Sequence, residues 1–102
     1  MIRHVVMLEL NPGHDALELA DVMAGLGKLV GKIDGFKAFE HGPNRDLEKK
    51  SQAYPYGFIC TFEDEASLRG YAVHPDHKAQ GARLVAMCQG GADGIMVMDL
   101  DT

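Results

Sequence analysis

The chain has no tryptophan, only two cysteines and no long apolar run. Cys60 and Cys88 fall in different expected elements and have no CxxC spacing. This argues against a disulfide scaffold or a zinc knuckle, and reduced thiols in a cytoplasm are the expectation. No stretch approaches the roughly 20 apolar residues that span a bilayer. The opening run, residues 1–10, is interrupted by Arg3, His4 and Glu9, so it reads as a strand and not as a signal peptide. Basic charge is also scarce, with Lys+Arg 10 against Asp+Glu 15 and a formal net charge of −5. Displacing phosphate counterions or coating an anionic membrane needs a basic surface, so neither nucleic acid nor membrane is expected as a partner. Four of the five histidines, His4, His41, His74 and His77, are the candidate metal set but show no HExxH-type spacing, and the glycine-rich stretch 90–94 has no P-loop lysine. Neither a metal nor a cofactor is expected.

What remains is a chain of 102 residues, 46% hydrophobic, which fits one domain over residues 1–102 with one core. Residues 2–10 form the first expected strand, closed by the turn signal Asn11-Pro12-Gly13. The first helix is expected over residues 15–32, with Asp15 and Glu18 as a capping box. Leu19, Met23, Leu26, Val30 and Ile33 recur at steps of four and three and mark its apolar face. Strands follow at 36–41 and 54–63, separated by a charged, solvated loop at 42–53, the segment expected to be most mobile. A helix at 65–73 breaks at His74, because Pro75 disfavours helical geometry in the residue before it. It resumes near Asp76 and runs to about Gln89, and a last strand covers 95–100. The order β-α-β-β-α-β predicts an α+β, ferredoxin-like protomer with a four-stranded antiparallel sheet.

Alternation sorts the strand residues into two faces, and both are apolar. His4, Val6 and Leu8 oppose Val5 and Met7. Phe58, Cys60 and Phe62 oppose Ile59 and Thr61. Ile95 and Val97 oppose Met96, Met98 and Leu100. Two helices can cover one face of the sheet, and burial against a second copy of the chain accounts for the other. A homodimer is therefore expected.

The densest group of reactive side chains is Tyr71-Ala72-Val73-His74-Pro75-Asp76-His77, two imidazoles and a phenol around a helix break. Both groups can move protons. His77, Gly81, Leu84 and Cys88 share one face of the second helical segment, which looks at the sheet. A histidine followed one turn later by a glycine outlines a small cavity, and His4 can approach it from the sheet. A plainer reading of the same residues stays open: a hydrogen-bonded core histidine, a tyrosine packed for its ring, and a His74 that caps the helix.

The start Arg3-His4-Val5-Val6, the Tyr71 and His74-Pro75-Asp76-His77 group, the Thr61-Phe62-Glu63-Asp64 stretch and the ending Met98-Asp99-Leu100 together resemble the stress-responsive A/B-barrel (Dabb) family over essentially the whole chain. The resemblance implies a dimeric α/β barrel of ferredoxin-like protomers. It also implies a pocket between sheet and helices for a small apolar or carbonyl-containing molecule. In a plant polyketide cyclase of this family, a His and a Tyr matching His77 and Tyr71 promote an aldol closure, which makes these two the catalytic candidates. Positions matching His4, Leu8, Gly81, Ile95 and Val97 surround that pocket, and Phe58 and His74 complete the expected lining. Three functions are thus compatible with the resemblance: a binding protein, a cyclase-like enzyme, and a cofactor-free monooxygenase-like dimer.

Overall fold

Alternating side chains in Ile2–Leu8 make β1, one of the two inner strands of the sheet. The computed structural model describes residues 1–102. It runs β1, α1 (Ala16–Gly27), β2 (Phe36–Pro43), β3 (Tyr56–Phe62), α2 (Glu65–Val73), α3 (Pro75–Met87) and β4 (Ile95–Asp101), with one 3-10 turn at Gly91–Gly94 before the last strand. The strand order is β2-β3-β1-β4 and every pairing is antiparallel. This is the ferredoxin-like arrangement expected from the order of elements. No helix is long and apolar enough to cross a membrane.

The helices lie on one face of the sheet and close the core there. Val6, Leu8, Phe58, Cys60 and Phe62 from the strands meet Leu19, Val22, Met23 and Leu26 of α1, with Tyr71, Leu84 and Met87 of the later helices. Phe36, Phe62 and Tyr71 form an aromatic triangle with ring centroids 4.8, 5.0 and 5.3 Å apart. The other face is uncovered in the single chain. Val5, Met7, Ile59 and Thr61 are half-buried there, and Met98 and Leu100 are 45% and 52% exposed. On that face Gly42 sits opposite Gly57, which leaves a hollow of about 270 Å³ bordered by Val5, Met7 and Ile59.

Several local expectations are modified. The first helix ends at Gly27 and does not reach Lys32. Past that point the chain turns, with Gly31 at φ +79° and Leu29 and Ile33 still reaching the core. The capping box is only half made. Asp15 accepts from the amides of Leu17 and Glu18 at 2.9 and 3.3 Å, but Glu18 does not reach back and instead takes the Arg83 guanidinium at 2.7 Å. The charged loop between β2 and β3 is laced by its own side chains. Asp46 Oδ1 accepts from Lys50 N, Ser51 N and Ser51 Oγ at 2.8–2.9 Å, while Asn44 Nδ2 donates to Ser51 Oγ and Tyr54 O. The helix break falls at His74 as expected. Its backbone is extended, with ψ 131°, and Pro75 opens α3.

Candidate functional site

The helix break is what assembles the site. Extended geometry at His74 lets α3 leave α2 in a new direction, and Tyr71 and His77, on either side of the break, then turn toward the same place. Their rings lie at 4.0 Å between centroids and 35° between planes. This is ring on ring contact. From the sheet, His4 meets the Tyr71 ring at 6.1 Å, edge on. Three of the residues named from the sequence are thus brought together around one tyrosine.

The tyrosine hydroxyl is sealed. Tyr71 is 1% exposed, and its oxygen accepts only the Cys60 thiol, at 3.9 Å. Burial pushes the Cys60 thiol up to about 12 and lifts the Tyr71 hydroxyl above its ordinary range, so both keep their protons at neutral pH. His77 is half-buried, and its Nδ1 lies 3.3 Å from the carbonyl of Ala72. A carbonyl can only accept, so Nδ1 carries the proton and Nε2 is the free nitrogen. Burial holds the His77 pKa below its ordinary 6.5. The Ala72 carbonyl opposes that shift, and the charges of His4, His74 and Lys78 reinforce it.

His4 has a partner that alternation alone did not single out. Its Nδ1 lies 2.6 Å from Asp99 Oδ1. The two residues are paired across the β1–β4 ladder and share the helix side of the sheet. A carboxylate that fixes one imidazole nitrogen leaves the other as the reactive atom, the arrangement used to orient proton-accepting histidines. The signal in the sequence is alternation in two strands whose registration becomes known only when they pair.

The remaining expected residues are spread more widely. Leu8 and Phe58 are packed into the core at 0% and 5% exposure, and Ile95 packs against its edge. His74 caps α3, its Nδ1 accepting from Asp76 N at 3.1 Å. Gly81 faces open space: a Cβ built there would meet nothing within 4 Å. Val97 lies on the helix side of β4 opposite Val6, yet is 48% exposed, so the helices leave that part of the sheet bare.

The depressed His77 value has a consequence for folding. Between the folded pKa and the unfolded value of 6.5, the unfolded chain binds the extra proton. The contribution is therefore full above pH 6.5 and declines as pH falls toward the folded value. Replacing His77 with leucine should flatten the fall in stability between about pH 7 and pH 5, measured by urea unfolding against the parent chain. Identical slopes for the two proteins would show that His77 is not neutralised by burial.

Known proteins match this architecture closely. A dimeric ferredoxin-like protein of unknown function from Jannaschia sp. CCS1 is 51% identical with a TM-score of 0.92, covering 99% of this chain and 98% of that one. A hydroxynitrile lyase from Passiflora edulis shares the fold at a TM-score of 0.80 and 16% identity, covering 97% of this chain and 90% of the other. The stress-response A/B barrel domain-containing protein HS1 of Arabidopsis thaliana is 26% identical over 98 residues, 96% of this chain and 86% of that protein. The family model for the stress responsive A/B barrel domain matches residues 2–102, and the chain belongs to that family.

Proposed function

We propose that the chain works as a homodimer in the cytoplasm and binds a small apolar or carbonyl-containing molecule between the sheet and α3, beside His77, Gly81 and Val97. The observation that carries this reading is the unfilled space at Gly81, one turn after a half-buried histidine and on the side of the sheet where Val97 is left bare. An apolar body would cover Val97, and the bare His77 Nε2, an acceptor only, would face a ligand hydroxyl or the acidic C–H beside a carbonyl. The dimer is supported by the uncovered apolar sheet face and by the relative of 51% identity described as dimeric. The reducing compartment is supported by two free, buried cysteines.

A second reading, an enzyme with His77 as base, is favoured by the lowered pKa that keeps this imidazole neutral. The sealed Tyr71 hydroxyl counts against its partner role as proton donor.

The test uses 2-heptanone as a probe on the full chain, followed by NMR. It should move the resonances of His77, Gly81 and Val97. Gly81→Leu should fill the space and weaken that binding by about tenfold or more. It should also leave the fold intact or up to about 1 kcal/mol more stable, since a glycine in a helix interior costs that much. Equal binding by the parent and Gly81→Leu would overturn the reading.

A further inference from the structure

Apart from the open space at Gly81, a groove of about 560 Å³ runs between α2 and the β1–β4 edge. Ile2, Leu68 and Ala72 make its apolar wall, and the His4–Asp99 pair lies within it. Glu65, Arg69 and Asp101 border it as well. Arg69 is already engaged, donating to Glu65 at 3.1–3.2 Å from two nitrogens. The hydrogen-bonding character of the His4 end is set by Asp99. A carboxylate only accepts, so it draws the imidazole proton to Nδ1, and a neutral His4 offers a bare Nε2. Nε2 and the carboxylate are then both acceptors, and the only cationic side chain lining the groove, Arg69, is paired with Glu65.

We infer that this groove binds an amphiphile with an apolar body and a head that donates hydrogen bonds, an alcohol or an amine and not a carboxylate. The inference rests on the proposed small-molecule function and names the ligand chemistry for its His4 side. The apolar wall takes the body. The donor head meets His4 Nε2 and the Asp99 oxygens. A carboxylate head would add negative charge beside Glu65, Asp99 and Asp101, with Arg69 the one cationic side chain there and already paired with Glu65.

Chain-matched probes separate the possibilities: 1-heptanol, heptylamine and heptanoate, each titrated into the isotope-labelled full chain. Heptanol and heptylamine should move the resonances of Ile2, His4, Leu68 and Ala72, with heptanoate about tenfold weaker or less, the effect of one hydrogen bond left unmade. His4→Ala should weaken heptanol binding by about tenfold. Ala72→Leu should weaken it as much without lowering the unfolding temperature, since Ala72 is exposed and its side chain only borders the groove. Heptanoate binding as tightly as heptanol would overturn the inference. So would heptanol signals confined to Gly81 and Val97, an outcome that leaves the proposed function standing. Silence of every residue toward all three probes and 2-heptanone would overturn both.

Discussion

Met7→Glu should turn a dimer into a weakly associating or monomeric chain. Met7 projects from the face of β1 away from the helices, between Gly57 on β3 and Met96 on β4. Val5, Ile59, Met98 and Leu100 lie on the same face, and the single chain leaves them half-buried or exposed. The Met7 thioether also leans over Gly57, where a Cβ would come within 2.5 Å of the sulfur. Two such faces packed together would form an apolar layer around Met7, and the arginine on that face, Arg3, is already paired with Glu40 at 3.5 Å. Burying an unpaired charge there costs several kcal/mol, and about 4 kcal/mol is roughly a thousandfold in the dissociation constant.

Sedimentation velocity over a dilution series measures the change directly. Met7→Leu, of similar volume, should dimerise like the parent. Leu17→Glu, at a position 82% exposed on α1, should have no effect on assembly. A Met7→Glu protein that associates as tightly as the parent would show that this face is not the interface. A parent chain that stays folded and monomeric when dilute would remove the dimer altogether.

The face assignment behind this prediction was already legible as alternation, because strand side chains have a period of two and errors of a residue or two at strand ends leave the period intact. The break at His74 was legible for a similarly local reason, the steric demand of Pro75 on its neighbour. Other features depend on distant parts of the chain. Glu18 could cap its own helix or pair with Arg83, and only the approach of α1 to α3 decides for Arg83. That approach is close: a Cβ at Gly25 would fall 2.6 Å from the Gln80 amide nitrogen. The helical pattern beyond Gly27 continued in Val30 and Ile33, yet the chain turns there, because the same apolar residues also suit a compact turn over the core.

The site follows the same division. His4, Tyr71 and His77 were visible as reactive residue types, and the helical spacing placed Gly81 beside His77. Asp99 was not, because its meeting with His4 depends on the registration of the first strand with the last, 95 residues away. The partner of Tyr71 was hidden as well. Cys60 stands in the middle of β3 as an apolar residue, and nothing local marks its thiol as the one group within reach of a phenol from α2. The loop expected at residues 42–53 reads as charged and mobile, whereas the spacing of Asn44, Asp46 and Ser51 lets it bond to itself.

Tyr71→Ala should nearly unfold the protein, whereas Tyr71→Phe should leave it close to the parent. Tyr71 is the largest of the fully buried side chains and touches Phe36, Phe62, His4 and His77. Cutting a large buried aromatic back to alanine costs about 3–5 kcal/mol. A domain of this size has only about 5–15 kcal/mol of stability, and each kcal/mol is worth about 4–8 °C in unfolding temperature. A fall of about 15–30 °C is therefore expected for alanine. Phenylalanine keeps the ring and its four neighbours, and loses only the oxygen that accepts the Cys60 thiol. A thiol is a weak donor, so the cost should stay below about 1 kcal/mol. Cys60 provides an independent readout. Burial raises its pKa to about 12, so it should resist alkylation in the parent and in Tyr71→Phe, and should react readily in Tyr71→Ala. If the hydroxyl itself served a bound molecule, Tyr71→Phe would weaken binding of 2-heptanone with no change in stability or thiol reactivity. If Tyr71→Phe lost as much stability as Tyr71→Ala, the ring would not be the source of the stabilisation, and the packing account of this residue would fail.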